Sequence, residues 1–442
     1  YAERQVARPD QAARQLLADV REHASLLLER GAGEYGFIHL TFQEYLAALA
    51  LAQRGQREVK PVVEALSQYI ADSEWREVVL LTVGYMGIIQ QRDEAAGELV
   101  WELIRRSPGR PGQAVVLAGD AVLDAGAGGV TPQTRTKVVD VLIRTMRADR
   151  RVEPGTRAAA GDTLARLGDP RPGVGLRADG LPDMAWCEVA AGPFMMGSDK
   201  SKDKQADDDE LPQHTVSLPA FKIARYPVTN AQYAAFVGDG GYREKWRQCW
   251  TAAGWQWKGE RAGPESYGGG SDLPNHPVVG LRWDEAIAFC RWLTTRLRQA
   301  GELGPDQILS LPSEAEWEKA ARGTDGRVYP WGNEPDPNRA NYDETGLGVT
   351  SAVGCFPGGS SPYGVEEMSG NVWEWSRTKW QANYERDQVD DDDLEGDAGR
   401  VVRGGAFHED RWDVRCASRG GSSIENGLIY LGFRVVVVSP NR

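Results

Sequence analysis

The hydrophobic and polar positions of this chain follow two rhythms. Up to about residue 170, apolar side chains recur three and four positions apart, as in Leu16, Leu17 and Val20 and again in Val138, Val139, Val141 and Leu142. That spacing lines one face of an α-helix and predicts helices. The breaks between them, SPGRPGQ, AGAGGVTPQ, VEPGTR and LGDPRPGVG, recur along this half. Helix pairs punctuated in this way predict a stack of helical repeats, in which neighbours cover each other's apolar faces. Beyond Asp179 the rhythm changes to short β-type runs (TVSL, KIARYPVT, RVVRGG, FRVVVV) set among Gly, Pro, Asn and Trp.

Two helices stand out in this second half. Over residues 283–299, Trp283, Ile287, Cys290 and Leu293 fall on one stripe, with Asp284 and Glu285 in the first turn, where the helix dipole favours anions. A shorter helix starts in LPSEAEWEKAARG, where Ser313 and Glu316 fit a capping box and Gly323 a C-terminal stop. The expected fold class is α+β. An all-α region spans 1–170, a linker spans 171–185 in the Pro- and Gly-rich stretch 168–183, and a loop-rich α+β domain spans 186–442.

Composition sharpens that division. Of 15 tryptophans only Trp75 and Trp101 precede residue 180, so the halves do not share one core chemistry. Lys plus Arg number 51 against 64 Asp plus Glu, a net charge of -13. That sign is wrong for a non-specific binder of phosphate backbones, and no nucleic acid partner is expected. The longest uncharged apolar stretch, 78–89, is shorter than the roughly 20 residues a membrane span needs. The first residues, YAERQVARPD, lack the apolar run of a secretory leader, and a cytoplasmic protein is expected. The five cysteines, Cys187, Cys249, Cys290, Cys355 and Cys416, are dispersed without a CxxC spacing, which fits neither a disulfide framework nor structural zinc. No GxxxxGK[ST] occurs, so the chain has no P-loop to cradle phosphates.

The run YGFIHLTFQEYLAALAL, 35–51, resembles the signature helix that follows the nucleotide-binding module of NACHT-type signal-transduction ATPases, through Phe37, His39, Phe42, Glu44, Tyr45 and Ala48. WREVVLLTVGYMG is similar to the helical region of that family, and RAAAGDTLARLGDPRPGV resembles a HEAT-type helix. The resemblance covers roughly residues 30–175 and implies tethering to an NTPase module that precedes Tyr1. His39 itself reads as a buried or capping histidine.

Four segments of the second half occur in a telling order: AGPFMMGSD (191–199), KIARYPVTNAQYAAFV (222–237), LPSEAEWEKAARG through YPWGN (311–333) and MSGNVWEW (368–375), followed by RVVRGG and LGFR. Together they resemble the formylglycine-generating enzyme and sulfatase-modifying factor family, which has a C-type-lectin-like fold, over residues 186–438. That resemblance implies oxidation of a sulfatase cysteine by two thiolates that bind copper(I), a soft ion. In active members the pair lies between the RGG and RCAxR segments. Here that interval, 406–414, contains no cysteine, so no catalytic residue is assigned and no copper is expected. Cys416, in RCASR, reads as a small buried hydrophobe.

The family also implies a structural calcium, held here by the side chains of Glu367 and Glu374 and the carbonyls of Gly370 and Val372, an all-oxygen set that suits a hard cation. A second family calcium site, through Asn341, lacks its acidic partner downstream. A related branch, the iron-dependent sulfoxide synthases, needs a histidine triad, and His23, His39, His214, His276 and His408 show no cluster. The acidic runs 207–210 and 390–393 read as solvated loops.

The last segment keeps the family's frame at Arg403, Gly404, Gly405, Arg415, Cys416, Ala417, Arg419, Gly432, Phe433 and Arg434. Between them GGSSIENGLIY, 420–430, has neither helical nor strand period. A rigid frame around an idiosyncratic loop is what a recognition surface requires. The arrangement resembles the variable proteins of diversity-generating retroelements, in which such a segment is rewritten at adenine-rich codons. It implies a non-catalytic sensor of a protein or other macromolecular ligand. The contact residues would be Glu409, Asp410, Trp412, Asp413, Ser418, Gly421, Ser423, Asn426, Leu428, Ile429 and Tyr430, with Trp412 and Tyr430 as aromatic anchors. The alternatives are an oxidase that uses a displaced thiol such as Cys416, and a pseudoenzyme of fixed sequence.

Overall fold

The computed structural model describes residues 27–31, 34–106, 111–384 and 393–439. The stripe Leu16, Leu17 and Val20, and His23, lie outside them. The chain forms two compact units, Tyr1–Asp140 and Val141–Arg442. Among the described residues no helix is long and apolar enough to cross a membrane.

The first unit departs from an all-helical reading at its start. Strands β1 (Leu27–Gly31) and β2 (Glu34–Phe37) form an antiparallel hairpin, with Leu27 opposite Phe37. Runs this short show no period of their own, and pairing across the hairpin supplies what the sequence pattern lacks. Helices α1 (Leu40–Arg54), α2 (Lys60–Ser67), α3 (Arg76–Gly84), α4 (Asp93–Arg106) and α5 (Gln113–Asp124) follow. Their buried positions are aliphatic, among them Val62, Val79, Leu99 and Val122. Asp93 and Glu94 open α4 and Arg105 and Arg106 close it, each at the end where the dipole favours its charge. His39 occupies the position before α1 but is exposed, and its side chain caps nothing, contrary to the expected buried or capping role.

The boundary between the units falls within α6 (Pro132–Met146). Helix α7 (Pro154–Leu167), which the sequence pattern groups with the N-terminal half, belongs to the second unit. Its Arg157 is fully buried, donates to the carbonyls of Cys355 (3.1 Å) and Asn338 (2.9 Å), and stacks over Phe356. The stretch expected to be a linker is tied down as well. Arg171 pairs with Asp169 at 2.6 Å and donates to the Val353 carbonyl, Asp183 accepts from Gly173 N, and Thr229 donates to the Val174 carbonyl. Pro and Gly stop regular structure there, but side chains satisfy the irregular backbone, so it packs.

Two four-stranded sheets organise the rest of this unit. One has the order β3 (Trp186–Val189), β6 (Phe221–Ala224), β12 (Val436–Val438), β7 (Ile308–Ser310). The other has the order β10 (Arg419–Ser422), β9 (Arg400–Arg403), β8 (Trp373–Lys379), β11 (Leu431–Phe433), with β11 parallel to β8. A separate hairpin joins β4 (Gly192–Met196) to β5 (His214–Leu218). Helices α8 (Asn230–Gly238), α9 (Ala252–Lys258), α10 (Trp283–Gln299) and α11 (Glu314–Arg322) complete the unit.

The capping box of Ser313 with Glu316 forms as expected, and Gly323 ends α11 at a φ of 72°. The core is aromatic: Phe236 meets Trp292 at 5.4 Å and Phe289 meets Phe433 edge-on at 5.5 Å. Among the described residues the four fully buried tryptophans each find a partner for the indole N–H: Trp283 donates to the Ser376 carbonyl, Trp375 to the Leu281 carbonyl, Trp292 to Asp239 and Trp317 to Glu374.

Candidate functional site

Four buried arginines hold the C-terminal segment in place. Arg403, the last residue of β9, donates to the Ala417 carbonyl at 2.6 Å, bonds the Ser418 carbonyl, and pairs with Glu318. Arg415 pairs with Glu210 at 2.6 Å and Asp203 at 2.9 Å. Arg419 grips Glu314 with two bonds, 2.6 and 2.8 Å, and lies over the rings of Trp380 and Tyr384. Arg434 stands where the chain passes from β11 in one sheet to β12 in the other, and grips Glu374 at 2.6 and 2.7 Å. Burial opposes ionisation of Glu314 and Glu210, but the adjacent guanidiniums prevail and hold both carboxyls below their usual range. Of the run 207–210, expected to be a solvated loop, Asp207 and Asp208 are exposed but Glu210 is buried, and its carboxylate accepts from Asp207 N at 3.3 Å. Of the run 390–393, only Asp393 lies within the described residues, 3.1 Å from Lys379.

Between these anchors two loops reach the surface. The first holds His408, Glu409, Asp410, Trp412 and Asp413. Trp412 is 42% exposed. Asp410 accepts from Trp412 N at 2.6 Å, which turns the loop tightly at its tip. Burial, reinforced by Glu409, Asp410 and Asp207, pushes the Asp413 carboxyl up to about 6.

The second loop runs from β10, one edge of its sheet, to β11, the other edge. Ser423 is exposed, and Asn426 donates to Ser422 Oγ at 3.1 Å. Ile424 is buried as its anchor, and the Leu428 carbonyl accepts from Gly280 N at 3.0 Å. Ile429 and Tyr430 are half-buried. The loops meet where His408 lies 4.6 Å from the Tyr430 ring, and Trp373 of β8 holds the first loop by donating to Glu409 at 3.0 Å.

The expected contact set is thus largely brought together, with two exceptions. Ser418 is buried beneath the surface, because its carbonyl is an acceptor for Arg403. Gly421 is exposed, but a Cβ there would come within 2.5 Å of the Trp380 ring, so the position cannot accept a side chain unless Trp380 moves. Tyr430 packs partly on the aromatic core and is an anchor in both senses. Sequence reasoning missed His408, whose place beside Glu409 was the available signal. It also missed Tyr267, 38% exposed, whose hydroxyl donates to the Gly427 carbonyl at 2.8 Å. Nothing in the spacing of the sequence joins Tyr267 to that loop.

The residues expected to hold calcium do not fit one. Both Glu374 carboxylate oxygens are spent on Arg434, and one also accepts from Trp317 at 2.7 Å. The Glu367 carbonyl accepts from Arg434 at 3.0 Å, and burial pushes the Glu367 carboxyl up to about 8. The Gly370 carbonyl accepts from Val372 N. The Arg434 guanidinium already supplies a positive charge to Glu374, while the Glu367 carboxyl accepts from Gly354 N at 2.7 Å and from Asn371 at 3.2 Å. Among the described residues no group of three or more His, Cys, Asp or Glu is disposed to hold a metal. All five cysteines are buried and free, and burial pushes Cys249 up to about 11 and Cys355 and Cys416 up to about 12, so these three are thiols at neutral pH.

Residues 178–438 match the family of sulfatase-modifying factor enzyme 1-like domains. Residues 1–51 match the winged helix-turn-helix domain C-terminal to NACHT, a shorter region than the 30–175 over which the sequence resembles that family. The hercynine oxygenase of Mycolicibacterium thermoresistibile is 36% identical over 231 residues, 48% of each chain, so this chain spans about half that relative's length. The formylglycine-generating enzyme of Thermomonospora curvata is 33% identical over 297 residues, 56% of this chain and 91% of that one. Among solved structures, Treponema denticola variable protein 1 superposes with a TM-score of 0.44 at 24% identity, over 58% of this chain and 95% of that one.

Proposed function

The chain belongs to the family of sulfatase-modifying factor enzyme 1-like domains, and we propose that it uses that fold as a scaffold for recognition rather than for oxidation. One observation carries the reading: over residues 403–434, rigidity and exposure are separated. The arginines of the frame are buried and paired, while the tips at Asp410, Trp412 and Ser423 are exposed. Loops held in this way can change composition without unfolding the scaffold. The oxidase alternative has no such support, because residues 406–414 hold no cysteine and Cys416 is a buried thiol.

In this reading the ligand is a protein or other macromolecule, and neither copper nor calcium takes part. The aromatic contacts come from Trp412 and from the Tyr430–His408 pair, the adaptable polar ones from Asp410, Ser423 and Asn426. The molecule is a variable protein of the diversity-generating retroelement kind. The match of residues 1–51 to a domain that follows NACHT supports a tether to an NTPase module in the cytoplasm.

Two measurements test this. Sequencing around the gene should find a near-copy of its final hundred or so bases that differs only where the copy has adenine, beside a reverse transcriptase. The differences should spare the codons of Arg403, Arg415, Arg419 and Arg434. Once a ligand is in hand, Trp412→Ala should weaken binding by at least about tenfold, as for a central aromatic contact. A gene with no such copy ends the variable-protein reading, and an unchanged affinity ends the assignment of this surface.

A further inference from the structure

Beside α10, at the margin of the aromatic core, lies a cavity of about 430 Å³ that no part of the recognition reading uses. Its apolar wall is formed by Ile287, Cys290, Ile308, Leu309 and Leu394, with Cys249. Arg291 and Arg298, seven residues apart and so on one face of α10, also line it. Their charge stands out. Arg296 on the same helix pairs with Asp239 at 2.7 Å. Among the described residues Arg291 instead donates only to the carbonyls of Cys249 and Trp250, both at 3.4 Å, and Arg298 only to those of Pro305 (3.0 Å) and Gln307 (2.7 Å). Among the described residues neither has a carboxylate within salt-bridge distance, in a chain whose net charge is -13.

The shape of the site narrows its occupant. Strand β7 is the edge of its sheet and borders the cavity, which would invite an added peptide strand. That edge is closed, because Thr294 Oγ1 accepts from Leu309 N at 2.8 Å and faces the Leu309 carbonyl at 3.4 Å. What remains is a small-molecule volume with an apolar wall and two cations, in the size range of ligand pockets. We propose that this cavity binds a small amphipathic anion, an acyl or aryl chain with a carboxylate or sulfonate head that Arg291 and Arg298 receive.

The test uses the whole chain and 1-anilinonaphthalene-8-sulfonate as a fluorescent probe, displaced by decanoate or by decanol, which has the same chain without the charge. Decanoate should displace the probe at a concentration at least about tenfold below that of decanol, since a charge-assisted hydrogen bond contributes that much. Arg291→Gln with Arg298→Gln should erase the preference, and Thr295→Phe, which fills the cavity from the helix, should abolish displacement by both. Equal potency of decanoate and decanol on the unaltered protein overturns the proposal, as does absence of displacement. A preference for decanoate that survives the double substitution overturns it as well.

Discussion

Within residues 403–434, side chains of two kinds alternate at intervals of a few positions. Arg403, Arg415, Arg419 and Arg434 are buried and each meets a carboxylate, whereas His408, Asp410, Trp412, Ser423 and Glu425 face solvent. The first kind is held by desolvated charge, where losing one partner strands the other. The second kind touches little that would notice a replacement. Ser418 and Gly421 show that place along the chain does not decide which kind a residue belongs to: one lies under the frame and the other under a tryptophan ring.

The comparison breaks most readily at the frame. Arg403→Ala should cost about 3–5 kcal/mol in urea unfolding, because it leaves Glu318, which keeps Arg322 on its other oxygen, with one oxygen buried and unpaired, and strips the Ala417 and Ser418 carbonyls of their donor. A loss below about 1 kcal/mol would mean that the frame does not depend on charge. Gly421→Asn should cost about 1–3 kcal/mol, since Trp380 must move, and a neutral result would return Gly421 to the variable set. Asp413 sharpens the contrast through pH. Its folded pKa lies above the ordinary value, at about 6, so the stability it lends is full below pH 3.8 and is lost as pH rises to about 6. Glu210 and Glu314 act in the opposite sense, lending stability at neutral pH that is lost as pH falls below about 4.5. Asp413→Asn should therefore remove a component of less than about 1 kcal/mol between pH 4 and 6, read from urea midpoints across that window. Trp412→Ala should change stability least, by no more than about 0.5 kcal/mol, and a larger drop in melting temperature would place Trp412 in the frame.

Much of this unit was legible because its signals are local. Helix α10 runs from Trp283 to Gln299 as its apolar stripe predicts, and Ser313, Glu316 and Gly323 mark the ends of α11. Each signal lies within a few residues of what it specifies. The hairpin β1–β2, the packed stretch 171–185 and the membership of α7 were not legible, because they depend on partners elsewhere. Arg157 reads in the sequence as an ordinary helical arginine, and only the Cys355 and Asn338 carbonyls make it a buried one. The partner of Glu374 was not legible for the same reason: its carboxylate suits a hard cation in the sequence, but Arg434, 60 residues away, takes both of its oxygens.

The sequence by itself determined the family, the order of the C-terminal frame, the absence of cysteine between residues 406 and 414, and the positions of the capped helices. These follow from residue identity and from periods of a few positions, which need no partner. Tertiary structure alone decided which side chains of the C-terminal segment are walls and which are surface. Arg415 meets Glu210 across 205 positions and Tyr267 meets Gly427 across 160, and contacts at such separations exist only once the sheets have brought their edges together.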